Sequence, residues 1–234
     1  MSGLTYGSYI RVDDLLGLQQ PRSPRETPLI RAWEHFFIVV HQAGELWLSQ
    51  VLLDLDEAVP ALKAGQYADA EECLRRSVAV LDVMAASLDT LAVMPPGRFA
   101  CFRGALGQAS GGQSAQFAAL DRRLGLTKRG DCPLSEALAV ACEAEDVALP
   151  DLVMARGCPG CEGLARVVSA MLDLARKIWK WKVMHLELVA KMIGHGERGT
   201  GGTAGTAYLA DRLAMPFPEL WDCVSGVHGQ GRVD

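Results

Sequence analysis

The 234-residue chain contains five histidines, His35, His41, His185, His195 and His228, and two of them stand where chemistry is possible. His41 lies inside a long apolar run with Phe37 four residues before it, one turn away on the same helical face. His185 lies in a second such run, flanked by Trp179, Trp181 and Met184. A helix-borne imidazole is a common axial ligand of haem iron, and two imidazoles on the longest helices of a bundle can face one cavity. Periodicity alone leaves the alternative open, because a lone histidine on an apolar helix face is more often a satisfied core residue. His35 precedes its apolar run, His195 borders a loop and His228 sits in the C-terminal tail, so these three are read as solvent-exposed.

Competing site chemistries fail at the level of spacing. A di-iron bundle needs Glu-x-x-His on two helices, and a zinc protease needs His-Glu-x-x-His; the sequence has neither. Cys158-Pro-Gly-Cys161 has metal or redox spacing, but no second pair or nearby histidine completes a tetrahedral set, so it is read as a Pro-Gly turn. The remaining cysteines form no spaced framework, and all seven are expected as reduced thiols. The loop Gly199-Thr-Gly-Gly-Thr-Ala-Gly205 superficially fits a dinucleotide fingerprint, yet a long helix rather than a strand precedes it. What remains is a segment rich in N–H groups and hydroxyls, either a lid over a polar ligand or an exposed linker. Arg103 follows the run Phe99-Ala-Cys-Phe; it either snorkels to the surface or meets an anion, for which a substrate carboxylate is a natural bidentate partner.

These side chains need helices to hold them. Apolar residues at three- and four-residue spacing predict a helix from Ile30 to Leu55, started by Thr27-Pro28 and weakened only at Gly44. Further helices are expected over Asp69–Leu91, Gly97–Leu106, Ser114–Leu124, Ser135–Ala144 and Gly163–Ile193, with one or two short ones near the C-terminus. No alternating run predicts a sheet, so the expected class is all-α, a bundle of long helices. Half of the residues are hydrophobic, 22% are charged and the formal net charge is −5. This composition suits a globular protein and argues against nucleic acid as a partner, which would require a basic face. No signal peptide is read at the N-terminus, and no apolar stretch is read as long enough to span a bilayer, so a cytoplasmic protein without a membrane partner is expected.

Six segments, in order, resemble the tryptophan 2,3-dioxygenase family. They are Leu4-Thr-Tyr-Gly-Ser-Tyr-Ile-Arg-Val-Asp-Asp-Leu-Leu16, Phe37-Ile-Val-Val-His-Gln-Ala-Gly-Glu-Leu-Trp47, Phe102-Arg-Gly-Ala-Leu-Gly-Gln-Ala-Ser-Gly-Gly-Gln-Ser114, Trp181-Lys-Val-Met-His185, the loop Gly199–Gly205, and Phe217-Pro-Glu-Leu-Trp221. The resemblance implies an all-α domain over 1–234 whose antiparallel helices enclose a b-type haem, with O2 as co-substrate. It assigns His185 as the axial iron ligand and His41 as the catalytic residue meeting the indole N–H. Phe37 and Phe99 would line the indole pocket, Arg103 would clamp the amino-acid carboxylate, and Thr200 would hold the ammonium end. Tyr6, Tyr9 and Ile10, in the segment 1–26, would reach a neighbouring subunit's site, so a homotetramer built as a dimer of dimers is implied.

The sequence also departs from the family pattern. Phe99 stands where a tyrosine is usual, Gly112 where a Phe is usual, Gly44 where a larger residue is usual, and the variable region 126–160 is short. By resemblance the leading expectation is 2,3-dioxygenation of L-tryptophan to N-formylkynurenine. A roomier pocket would also suit mono-oxygenation of a methylated tryptophan to a 3-hydroxyoxindole-type product. A non-catalytic haem sensor or carrier would share His185 without needing Arg103 and Thr200 together.

Overall fold

The computed structural model describes residues 3–127, 130–154 and 159–229. Among them are eleven α-helices and no strand, in agreement with the all-α expectation. They are α1 (Tyr6–Ile10), α2 (Val12–Leu16), α3 (Pro28–Lys63), α4 (Tyr67–Leu91), α5 (Pro96–Arg103), α6 (Ala115–Arg123), α7 (Pro133–Ala144), α8 (Leu149–Val153), α9 (Glu162–Ile193), α10 (Thr206–Ala210) and α11 (Pro218–Gly229).

The frame is built from α3, α4 and α9. A three-residue turn returns α4 antiparallel to α3, and Gly65, at φ +72°, supplies the left-handed residue that this turn needs. The register of α4 and α9 is fixed by ion pairs: Arg166 to Glu71, Arg75 to Asp173 and Lys177 to Asp82. Partner numbers rise together, so α9 runs with α4 and against α3. At its core end α3 contributes Leu48, Val51, Leu55, Ala58 and Leu62, each 3% exposed or less. Against them pack Leu74 and Leu81 of α4, and Leu164, Val167, Met171 and Leu174 of α9. Asp54 is buried on the same stretch of α3, and its Oδ1 accepts from Arg76 at 2.9 and 2.8 Å. A second, smaller cluster (Leu88, Leu91, Met94, Phe99, Phe102, Leu188) closes the opposite end of the frame.

Several sequence expectations need adjustment. α3 is longer than Ile30–Leu55, running through Pro60, whose missing N–H falls one turn from the helix end. Thr27 does mark the helix start, but its hydroxyl donates to the Pro24 carbonyl rather than capping the helix. By length and composition α3 is long and apolar enough to cross a membrane, with a mean hydropathy of 1.3, contrary to the reading that no stretch is. Its apolar character has a different use: one part faces the core just described and the other faces a cavity. Cys161 is disulfide-bonded, which corrects the expectation of reduced thiols throughout, whereas Cys73, Cys101, Cys132, Cys142 and Cys223 are free. Cys158 lies outside the described residues. The helices α1, α2 and α8 were not predicted; five residues are too few to display a period.

Candidate active site

A cavity of about 650 Å³ opens between the N-terminal half of α3 and the C-terminal half of α9. That volume lies in the range of small-molecule and cofactor sites, roughly 300–1,000 Å³. His41 and His185 both line it, as do Phe37, Phe99, Arg103 and Thr200. Six of the nine residues singled out from the sequence are thus brought to one space by four separate stretches of chain. The other three, Tyr6, Tyr9 and Ile10, do not line it; they are 78%, 73% and 41% exposed on α1. A shallow surface depression between α1 and α2 shares no residue with the cavity.

By accessible surface His41 is exposed, its ring open to the cavity, and His185 is half-buried, both with many protein atoms around them. His41 Nδ1 lies 2.8 Å from the Phe37 carbonyl oxygen. A carbonyl only accepts, so Nδ1 carries the proton and Nε2 presents a bare lone pair to the cavity. Desolvation pushes the His41 pKa below its usual value, and the Phe37 carbonyl and the Glu45 charge only partly offset it. The pKa of His185 is pushed down to about 4, first by desolvation and then by the nearby His41. Both rings are therefore neutral at pH 7. No described protein group hydrogen-bonds either nitrogen of His185, so a neutral lone pair is available to a ligand.

Aromatic packing fixes both rings. Phe37 lies against His41 with centroids 3.9 Å apart, and it sits in a cluster with Phe99 (5.8 Å) and Phe102 (5.6 Å). Across the cavity Trp181 stacks on His185 at 5.3 Å and 4°, and Phe117 stacks on the other side of Trp181 at 4.9 Å. The Trp181 indole N–H is buried without an acceptor, so this residue is held by stacking rather than by a hydrogen bond. Its i, i+4 relation to His185 was visible in the sequence, but the stack was not.

The glycine-rich segment is a lid and not an exposed linker. Gly199, Thr200, Thr203 and Gly205 line the cavity, and the Gly199 N–H donates to the Thr203 carbonyl at 3.0 Å. At Gly205, φ is +60° and a Cβ would stand 2.2 Å from the Glu197 carbonyl oxygen, so only glycine fits. Gly201, at φ +77°, docks on a second loop, where a Cβ would meet Ser110 at 2.9 Å. Arg103 reaches this lid directly: its Nη2 donates to the Arg198 carbonyl oxygen. The guanidinium points to the cavity rather than snorkelling, and among the described residues no carboxylate pairs with it.

A model of the tryptophan 2,3-dioxygenase family matches residues 1–136 and 142–227. The chain belongs to the tryptophan 2,3-dioxygenase family. It is similar to curated proteins named tryptophan 2,3-dioxygenase from Herpetosiphon aurantiacus, at 31% identity over 93% of this chain and 96% of the relative. The enzyme of that name from Caulobacter vibrioides is 33% identical over 93% and 96%, and that from Bacillus thuringiensis 31% over 94% and 91%. Membership makes the chain an oxygenase, and the all-α frame is that expected of the family.

Sequence reasoning missed other groups on the wall. Glu45 accepts from Gln116 through both its backbone oxygen and Oε2, each at 2.7 Å, tying α3 to the start of α6. Lys182 is held by Asp121 at 2.9 Å. Tyr208 and Arg212 also line the cavity, from α10 and the turn after it. They share i, i+4 spacing, a signal present in the sequence but lost in a helix of five residues.

Proposed function

We propose that the chain is a haem-dependent tryptophan 2,3-dioxygenase, converting L-tryptophan to N-formylkynurenine. The observation that carries this reading is the pair of neutral imidazoles from α3 and α9 on one cavity that also presents Arg103 and Thr200. The residues fit a b-type haem by donor chemistry: His185 is uncharged, stacked in place by Trp181, and among the described residues its nitrogens have no hydrogen-bond partner. Ferrous haem, when bound there, supplies the activation of O2.

Each protein group then has a defined task. His185 holds the iron. His41, with its Nδ1 proton committed to Phe37, offers Nε2 to the indole N–H and so orients the ring. Phe37 and Phe99 enclose the indole; Phe99 supplies surface but no hydroxyl. Arg103 exchanges the Arg198 carbonyl for the substrate carboxylate, which as an anion is the stronger partner. Thr200, on the lid, receives the ammonium end. The lid and the loop at Ser110 exclude water from the reacting bond.

The same reading makes the chain one haem-binding domain in a cytoplasmic homotetramer, a dimer of dimers. Its support is the first two helices: α1 and α2 bury no residue, and they expose Tyr6, Tyr9 and Leu16 at 78%, 73% and 69%. Apolar surface of this kind calls for a partner, here a neighbouring subunit whose cavity Tyr6, Tyr9 and Ile10 approach.

A second reading has one specific observation in its favour. A Cβ on Gly44, at the cavity wall, would meet nothing within 4 Å, which leaves room for a substituted tryptophan. Incubation of the haem-loaded protein with tryptophan and, separately, with methylated tryptophan, under labelled O2 and with an added two-electron reductant such as ascorbate, decides between the two. Two labelled atoms in a ring-opened product support dioxygenation. One atom in an intact skeleton, formed from methylated tryptophan alone while the other oxygen leaves as water with two electrons from the added reductant, replaces it with mono-oxygenation. Haem binding without any product leaves the sensor or carrier.

A further inference from the structure

Five charged side chains line the cavity: Glu45, Arg103, Asp121, Lys182 and Arg212. Three are already engaged with other protein groups. Lys182 pairs with Asp121, and Glu45 takes the Gln116 amide. The two guanidinium groups are different, because among the described residues neither has a carboxylate partner. Arg103 has a task in the proposed function. Arg212 has none.

Arg212 is nevertheless built into the wall rather than left loose. Its Cζ lies over the Tyr208 ring, 3.9 Å from the centroid, a cation–π contact that seats the guanidinium on the phenol. Its backbone carbonyl accepts from Lys182 at 3.3 Å, and Lys182 is itself fixed by Asp121, so the turn after α10 is tied to α6 and α9. The ring beneath it is placed by the opposite loop. A Cβ on Gly112 would stand 3.3 Å from the Tyr208 hydroxyl, so the glycine leaves the space that this hydroxyl approaches. The ring contact uses no N–H donor, and among the described residues none accepts a hydrogen bond from the guanidinium, so its N–H groups remain to donate. An exposed guanidinium seated on an aromatic ring in the cavity lining, with donors to spare, is suited to a bidentate carboxylate.

We infer that Arg212, stacked on Tyr208, is a second carboxylate-binding residue of this cavity, separate from Arg103. The inference rests on the proposed function, since both ligands of that reading bring carboxylates: the haem through its propionates and the amino acid through its α-carboxylate. The chemistry at Arg212 is the same for either source, and two ligand pairs separate them. Haem and its dimethyl ester differ only in free propionates, and L-tryptophan and tryptamine differ only in the α-carboxylate.

Arg212→Gln and Tyr208→Leu are compared with the unmodified chain in four titrations. Haem and haem dimethyl ester are followed by the Soret band of the chain as isolated without haem. Tryptophan and tryptamine are followed by the spectral shift of the haem-loaded chain. Arg212→Gln is expected to weaken one carboxylate-bearing ligand about tenfold and its blocked counterpart less than twofold, a discrimination of roughly fivefold or more, about 1 kcal/mol at least. Tyr208→Leu should show the same pattern with a smaller factor, because the guanidinium remains but loses its platform. A loss confined to haem assigns the propionate, and a loss confined to tryptophan assigns the substrate. Equal weakening of both members of each pair, or no change in any titration, overturns the inference. Should the unmodified chain bind neither haem nor tryptophan, the oxygenase reading itself fails; should it bind both while Arg212→Gln is silent, only this inference does.

Discussion

The two longest helices each pass through two environments, and the contrast between them explains the molecule. From Leu48 to Leu62, α3 buries Leu48, Val51, Leu55, Ala58 and Leu62 nearly completely. From Pro28 to Trp47 it buries only Glu34, whose carboxylate takes the backbone N–H groups of Arg22 and Ser23 at 2.8 and 2.7 Å. The helix α9 repeats the pattern. Leu164 to Ile178 is closed against its neighbours, whereas from Trp179 onward only Leu188 is buried. Both halves are apolar and helical. In one half the apolar faces meet each other and close; in the other they meet a space large enough for a cofactor and a substrate. One half therefore carries stability and the other carries function, on the same two rods.

That division can be broken by substitution. The largest effect is expected from His185→Ala, which should abolish haem retention, read as loss of the Soret band after gel filtration, while leaving the haem-free fold intact by circular dichroism. A His185→Ala chain that keeps its haem removes the assignment of the axial ligand. Next comes a matched pair of leucines. Leu174→Ala, at 0% exposure in the closed half, should lower the stability of the haem-free chain by about 2–5 kcal/mol in urea denaturation. Leu188→Ala, at 8% on the cavity wall, should cost clearly less there and instead weaken haem binding. Equal stability losses would erase the distinction between the halves.

Arg103→Leu should raise the tryptophan KM by a factor corresponding to about 2 kcal/mol or more, because a charge-assisted pair is lost in a partly desolvated site. Tryptamine, without the carboxylate, should bind both forms alike; a parallel loss would show that Arg103 acts through the lid. A smaller effect attaches to His41→Ala. Loss of one neutral hydrogen bond is worth about 1 kcal/mol in tryptophan affinity. The N1-methylated substrate, which has no indole N–H, should not distinguish the two forms.

The smallest expected effect is the pH dependence. The folded pKa of His41 lies below the usual 6.5, so Nε2 remains an acceptor from pH 8 down to 6.5, and tryptophan affinity should be flat there. It should fall only as the pH drops through the lowered His41 pKa, below the usual imidazole value, and the ring gains a proton. The same sign governs stability. His185, at about 4 in the folded chain against 6.5 unfolded, binds fewer protons when folded, so the melting temperature of the haem-free chain should decline as pH drops from 6.5 towards 4. A melting temperature that rises over that interval would contradict two neutral, desolvated imidazoles.

Legibility followed element length. The long helices were readable because three or more turns display a period, and the main boundaries shift by a few residues at most, apart from the C-terminal end of α3, which runs on to Lys63. The five-residue helices α1, α2 and α8 were not, whereas α10, which carries Tyr208, falls among the one or two short helices expected near the C-terminus, without bounds. Of the site, the residues on or beside recognisable segments were found: His41, His185, Phe37, Phe99, Arg103 and Thr200. Missed were those whose meaning depends on a distant neighbour. Glu45 and Gln116 are 71 positions apart, and Lys182 meets Asp121 across 61. Arg212 looked like any surface arginine until the fold laid it on Tyr208.

The sequence by itself determined the class, the family resemblance and the identities of the chemically competent side chains, because helix periodicity and motif order are local properties of the chain. It left the histidines as ligands or core residues, the glycine segment as lid or linker, and Arg103 as clamp or surface charge. Tertiary structure bears on these by putting the side chains in contact with particular neighbours. The Phe37 carbonyl fixes which nitrogen of His41 is free, the loop at Ser110 receives Gly201, and the Arg198 carbonyl holds Arg103 inward. A side chain's type sets what it can do, and only the groups around it set its protonation, direction and access.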